Sequence, residues 1–127
     1  LEFKKLNKNL LQDNGIDTCY SVSDNVFLDL IELNVSNLKE VATAYSDITK
    51  MGCIMYANKP GLQFYTGNMM NEHYDGKHNK TYGHQYGLCL EPQFFPDSIN
   101  CKNFITPILK KSTKYNSKII FKLKNNF

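Results

Sequence analysis

Short apolar stretches rich in β-branched and aromatic residues recur along this chain, and turn residues separate them. No stretch sustains helical periodicity between capping residues, whereas short runs of this composition are typical of strands. The predicted strands are residues 26–35, 39–45, 53–57, 62–65, 87–91 and 118–123. The pattern therefore predicts an all-β protein.

Three segments between or beside these strands are interpreted separately. Residues 34–44 could also form a short helix, but their β-branched residues and the turn that follows favour a strand. Residues 46–52 have the composition of a hairpin connection. Residues 68–85 are a long polar stretch, which predicts a surface loop.

The length of 127 residues suits one domain or part of one, and an apolar content of 42% is enough to form a core. No internal repeat or linker divides the chain, so residues 1–127 are interpreted as a single segment. No apolar run approaches the ~20 residues that a membrane helix needs. The first residues also lack the hydrophobic region of a signal peptide. We therefore expect a soluble cytoplasmic protein without a membrane partner.

The basic residues limit the partners that the chain can bind. All 15 are lysine, and the net charge is only +3. Arginine is the usual side chain for bidentate contacts with phosphate and guanine, so its absence argues against a nucleic-acid partner. The lysines are also spread along the chain, apart from a loose group in residues 110–124, which is typical of a solvated surface.

Cysteines and histidines are the residues that most often bind metals, and neither type is suitably spaced here. The cysteines include no Cys-x-x-Cys pair, so free thiols in a reducing compartment are expected, with a zinc site or a disulfide as the alternatives. The histidines are five and six residues apart in the polar stretch, which suits neither a helix face nor a tight turn. The spacing therefore predicts no metal site. These residues are Cys19, Cys53, Cys89, Cys101, His73, His78 and His84.

Glu91 is the carboxylate with the most unusual surroundings. It ends the predicted strand 87–91 and precedes Pro92, Gln93 and two phenylalanines. A carboxylate beside apolar and aromatic groups would be partly desolvated, which suits a general base. The alternative is a glutamate at a strand end that faces water.

Three motifs and the final strand resemble the aldose 1-epimerase (galactose mutarotase) family. Residues 60–68, Pro-Gly-Leu-Gln-Phe-Tyr-Thr-Gly-Asn, closely resemble that family's Pro-Gly-x-Gln-x-Tyr-Thr-Gly-Asn motif. Residues 87–100 are similar to the segment around its catalytic glutamate. Residues 15–20, Gly-Ile-Asp-Thr-Cys-Tyr, resemble its Gly-aromatic-Asp-His-x-aromatic motif, and residues 115–123 resemble its final strand.

The resemblance implies a fold and an activity. The fold would be the galactose mutarotase-like supersandwich of antiparallel sheets, of which this chain would be the C-terminal part. The protein would be an isomerase of carbohydrate metabolism that interconverts the α and β anomers of free hexoses such as galactose or glucose. Glu91 matches the catalytic base, and Asp17 and Gln63 match ligands of sugar hydroxyls. No metal or organic cofactor is implied, and no oligomeric state.

Some positions depart from the family pattern. Thr18 and Gln85 stand where histidine is common, and His84 stands where lysine is common. The family's acid histidine lies upstream of the matched motifs, so these 127 residues alone are expected to be inactive. Two alternatives are a non-catalytic mutarotase-like sugar-binding or regulatory protein and a structural segment of a larger carbohydrate enzyme. The upstream histidines and an Asn-Arg pair would discriminate between them.

Overall fold

The regular structure of the chain consists mainly of β-strands, as the sequence predicts. The computed structural model describes residues 15–22, 38–70 and 76–127, and its regular elements within them are six strands and one short 3₁₀ turn. No helix in this part of the chain is long and apolar enough to cross a membrane. The elements are β1 Asp17–Ser21, β2 Lys39–Tyr45, β3 Met51–Ala57, β4 Gly61–Tyr65, the 3₁₀ turn Lys77–Asn79, β5 Cys89–Gln93 and β6 Ile119–Asn125.

The described strands form two antiparallel sheets. One has the order β1-β4-β5 and the other the order β2-β3-β6. The expected all-β class and its β-sandwich type are confirmed. Because β3 and β4 are consecutive, the connection of residues 58–60 carries the chain from one sheet to the other.

The core joins the two sheets. Met55 and Leu62, which are 1% and 0% exposed, are the largest fully buried side chains, and they lie on β3 and β4. Val41 and Ala42 are both buried although they are neighbours on β2, because a β-bulge shifts the register between Glu40 and Ala42. Burial of apolar side chains from both sheets contributes most of the free energy that stabilises this arrangement.

Most of the predicted strand boundaries are close to the observed ones. The prediction of 39–45 coincides with β2, and 53–57, 62–65 and 118–123 overlap β3, β4 and β6. Residues 26–35 lie outside the described ranges. The helix considered for 34–44 is wrong over residues 39–44, which form β2. β1 is not among the predicted strands.

The hairpin after β2 matches the prediction, whereas the limits of β5 do not. The hairpin turn closes as the Ser46 N–H donates to the Met51 carbonyl at 2.9 Å, with Lys50 at a φ of 57°. β5 begins and ends two residues later than predicted and includes Pro92. A proline lacks a backbone donor, and β5 tolerates it because it is an outer strand of its sheet as described.

Asn58 and Lys59, in the connection between the sheets, contact the segment that precedes β6. The buried Asn58 side chain donates to the Asn116 carbonyl at 3.2 Å and accepts from the Lys118 N–H at 3.0 Å. The Lys59 ammonium lies 4.4 Å from the ring centres of both Phe94 and Tyr115. These contacts set the path that leads into β6.

The apolar face of β3 continues onto β6, where the described residues leave it uncovered. The register places Phe121 opposite Met55 and Leu123 opposite Cys53. Met55 is 1% exposed, but Phe121 is 59% and Leu123 77% exposed. An outer strand with an exposed apolar face promotes association.

We predict that the 127-residue chain, prepared alone, self-associates. Sedimentation velocity should show species larger than a monomer. The double variant Phe121→Lys/Leu123→Lys should shift the distribution towards monomer, because it places charge on the exposed face. Ile48→Lys at the hairpin, where Ile48 is 93% exposed, is the control and should change nothing. A wild-type chain that sediments as a monomer would contradict the prediction.

Candidate active site

The strand register brings the three predicted site residues onto one face of the β1-β4-β5 sheet. Gln63 is paired with Cys19 on β1 and with Glu91 on β5, and Asp17 is paired with Tyr65. Side chains two residues apart on a strand share a face, and paired residues face the same side. Asp17, Gln63 and Glu91 therefore lie on a common face, on three adjacent strands.

Asp17 and Gln63 are directly bonded to each other. The Gln63 Nε2 donates to the Asp17 Oδ1 at 2.6 Å. Asp17 is exposed and Gln63 is half-buried. An amide has two donors and one acceptor oxygen, and a carboxylate has two acceptor oxygens, so the pair keeps both kinds of polar group for a ligand.

Glu91 lies in the middle of β5 and is exposed. The desolvation expected from the two following phenylalanines is not found in the described part of the chain, because the Glu91 side chain is exposed. Phe94 lies beneath the Lys59 ammonium, and Phe95 packs against Phe104 with ring centres 5.0 Å apart. The Glu91 carboxylate is thus open to a ligand on the face that it shares with Gln63. The Cβ atoms of a cross-strand pair such as Gln63 and Glu91 lie about 5 Å apart.

Cys19 occupies the same face, next to Asp17 along β1. Gln93 Nε2 contacts the Cys19 Sγ at 3.7 Å across Gly61, where a Cβ would lie only 3.1 Å from that sulfur and from the Phe95 ring. Burial raises the pKa of the Cys19 thiol, and the hydrogen bonds to Gln93 and to the Leu62 backbone oppose this in part. Cys19 is therefore held as a thiol, which is a poor nucleophile.

The backbone that precedes Asp17 is held by the residues that follow β4. The Ile16 N–H donates to the Thr66 Oγ1 at 2.7 Å, and the Ile16 carbonyl accepts from the Asn68 Nδ2 at 3.1 Å. Gly15 has a φ of 67° and lies against the Asn68 side chain, so that no Cβ fits there. The entry into β1 is thus fixed by side chains of the 60–68 motif.

The histidines lie away from this face or outside the described residues. The His84 Nδ1 is 2.8 Å from the Asn68 carbonyl, and His78 is exposed in the 3₁₀ turn at a φ of 60°. His73 lies outside the described ranges. In residues 15–22, 38–70 and 76–127, no three His, Cys, Asp or Glu side chains are grouped as metal ligands.

Comparison with known proteins gives the family. The family model described as aldose 1-epimerase matches residues 2–122. The chain belongs to the aldose 1-epimerase family. Galactose mutarotase of Mus musculus is 41% identical over 68 residues, which are 54% of this chain and 20% of the mouse protein. Galactose mutarotase of Homo sapiens is 37% identical over the same length and coverage, so the match spans about one fifth of these relatives.

Thr18, His84 and Gln85, which differ from the aldose 1-epimerase pattern, do not lie on the common face. Thr18 pairs with Phe64 and so projects from the opposite side of the sheet to Asp17. Gln85 and His84 lie beside the turn after β4, where the Gln85 N–H donates to the Gly67 carbonyl at 3.0 Å. None of these three residues therefore belongs to the common face of Asp17, Gln63 and Glu91.

We predict that Cys19 is alkylated more slowly than Cys89. Both lie on the same sheet, but Cys19 is half-buried and burial raises the pKa of its thiol, whereas the Cys89 side chain is exposed to the reagent. Iodoacetamide labelling followed by peptide mass spectrometry measures both rates in one sample. The Cys19 rate should continue to rise at pH values where an ordinary thiol has already levelled off. Equal rates at the two cysteines would contradict this assignment.

Proposed function

We propose that this chain is the C-terminal part of an aldose 1-epimerase that interconverts the α and β anomers of free hexoses, with galactose and glucose as substrates. Membership of the aldose 1-epimerase family supports the reaction class. The observation that carries the proposal is the common face on which Asp17, Gln63 and Glu91 lie. Residues 1–127 would form one segment of a larger domain.

In the proposed reaction, Glu91 is the general base. Its carboxylate accepts the proton of the sugar's C1 hydroxyl while the bond between C1 and the ring oxygen breaks. An acid protonates the ring oxygen, so that the open-chain aldehyde forms. After rotation about the C1–C2 bond, the same steps run in reverse, each proton returns and the other anomer forms. The reaction needs no oxidant or reductant.

The exposure of Glu91 suits this role. A sugar ring that covers the face would exclude water from the carboxylate and strengthen its interaction with the C1 hydroxyl. The exposed setting leaves room for a sugar ring against β5. The carboxylate is thus accessible before binding and shielded during the reaction.

Asp17 and Gln63 are proposed to hold neighbouring sugar hydroxyls. Their mutual bond at 2.6 Å fixes the amide orientation, with Nε2 towards Asp17. The second Asp17 oxygen accepts from one hydroxyl, and the Gln63 amide bonds to another. Fixing both hydroxyls orients C1 towards Glu91, which is the contribution of positioning to catalysis.

The acid is proposed to be a histidine upstream of these residues, and the isolated 127 residues are therefore expected to be inactive. His84 is not proposed for this role, because it lies beside Asn68 in the segment after β4 and is not on the strands that form the common face. A cytoplasmic location is proposed as well, because all four cysteines are free thiols and a reducing compartment preserves them.

A second candidate is a non-catalytic sugar-binding protein of the same family. Strands β1, β4 and β5, which form the common face, contain no histidine that could act as the acid, and this observation favours it. The two functions separate in one experiment on the full-length protein, since a binding protein would retain hexose without accelerating mutarotation.

We predict that Glu91→Gln in the full-length protein lowers the catalysed rate about 10²- to 10⁴-fold, the usual contribution of a general base. The substitution keeps size and hydrogen-bonding shape, so hexose binding should persist. Polarimetry of fresh α-D-galactose and α-D-glucose, corrected for spontaneous mutarotation, measures the rate. Glu40→Gln, an exposed glutamate on β2, is the matched control and should be neutral. A Glu91→Gln rate within about three-fold of wild type would remove Glu91 as the base.

We also predict that Asp17→Ala and Gln63→Ala each lower kcat/KM roughly 5- to 150-fold, because one lost hydrogen bond to a bound group costs about 1–3 kcal/mol. The double variant should lose less than the product of the two factors, since the side chains are bonded to each other. Asp47→Ala in the hairpin turn is the control. Wild-type kinetics in both single variants would remove the pair from the site.

A further inference from the structure

Thr66 and Asn68, here called the clamp, hold the backbone immediately before Asp17. We propose that the clamp residues are positioning residues, which keep the Asp17 carboxylate against the Gln63 amide and do not themselves touch the sugar. The catalytic part of this inference rests on the proposed function. The geometric part does not, because it concerns only the contacts among these residues.

The clamp satisfies both backbone polar groups of Ile16. The Ile16 N–H donates to the Thr66 Oγ1 at 2.7 Å, and its carbonyl accepts from the Thr66 N–H at 3.0 Å and from the Asn68 Nδ2 at 3.1 Å. Ile16 and Thr66 are 8% and 7% exposed, so water cannot easily replace these partners. Ile16 is thus bound more tightly than strand pairing alone would provide.

The two clamp side chains also orient each other. The Thr66 hydroxyl donates to the Asn68 Oδ1 at 2.6 Å while it accepts from Ile16. This bond fixes which end of the Asn68 amide faces the Ile16 carbonyl. A change at either residue therefore disturbs the contact made by the other.

Gly15 shows how closely the backbone approaches the clamp. A Cβ at this position would lie 2.6 Å from the Thr66 Oγ1 and would overlap the Asn68 side chain. The φ of 67° is also in the region that favours glycine. The chain can pass this close to the clamp only because residue 15 has no side chain.

The location of the clamp explains why Asp17 depends on it. β1 is paired with β4 alone among the described strands, and Asp17 is its first residue, next to Ile16. A slip of one residue would turn Asp17 to the opposite face of the sheet. Gln63 is held on both sides, by β1 and β5, and does not need such a contact. The clamp therefore fixes the less constrained member of the pair.

Mutarotation by the full-length protein tests the inference. Thr66→Val, which keeps the shape and removes the hydroxyl, should lower kcat/KM by about 5- to 150-fold, as loss of Asp17 does. Thr66→Ser should restore the rate to within about three-fold of wild type. In an Asp17→Ala background, Thr66→Val should have an effect below about two-fold, because its target is already absent. An equal factor in both backgrounds would overturn the inference.

Hydrogen exchange gives a readout that does not need activity. The Ile16 amide should exchange faster in Thr66→Val, while the β2–β3 hairpin keeps its wild-type rates. Thr113→Val is the control, since the Thr113 hydroxyl donates to the Lys110 carbonyl at 2.6 Å on the exposed surface. Unchanged exchange at Ile16 would overturn the clamp whatever the activity.

Two further outcomes are distinguished by the same design. If Thr66→Val does not fold, Asn68→Ala removes only the side-chain donor to the Ile16 carbonyl and is tested by the same cycle with Asp17→Ala. If the wild-type protein shows no mutarotation, the proposed function fails, and the Ile16 exchange still supports or overturns the clamp.

Discussion

The pairing of β4 with a strand on each side is the constraint on which the site depends. β4 exchanges backbone hydrogen bonds with β1 and β5 over its whole length. This register determines that Asp17, Gln63 and Glu91 share one face. In the sequence, Gln63 follows Asp17 by 46 residues and precedes Glu91 by 28. The same strand contributes the buried Leu62 to the core. β4 therefore contributes to the core with one face and to the candidate site with the other.

Apolar, β-branched and aromatic composition predicts most of the described strands. The predicted stretch 39–45 coincides with β2, and other predicted stretches overlap β3, β4 and β6. β1 was missed because Asp17, Thr18 and Ser21 give it no apolar pattern, and its strand conformation comes from pairing with β4. The end of β5 was misplaced because Pro92 normally stops a strand, and only its outer position in the sheet as described makes it acceptable.

The candidate site could be predicted only in part. The resemblance supplied the identities of Asp17, Gln63 and Glu91, whereas no periodicity in the sequence predicts which strands pair. The desolvated setting predicted for Glu91 is not found among the described residues, where Glu91 is exposed, because residues that follow in sequence need not cover a side chain in the fold: Phe94 packs with Lys59 and Phe95 with Phe104. The roles of Thr66, Asn68 and Gly15 were also hidden, since their contacts join residues about 50 positions apart.

The connection of residues 58–60 between the sheets has a mechanical consequence. It is short, it ends in Pro60, and its Asn58 and Lys59 side chains are both buried against later parts of the chain. A short connection with buried, bonded side chains leaves the two sheets little freedom to move relative to each other. The end of β3 and the start of β4, which leads to Gln63, are therefore held close together by three residues. The position of the strand that carries Gln63 is thus tied to that of the strand that carries Met55 in the other sheet.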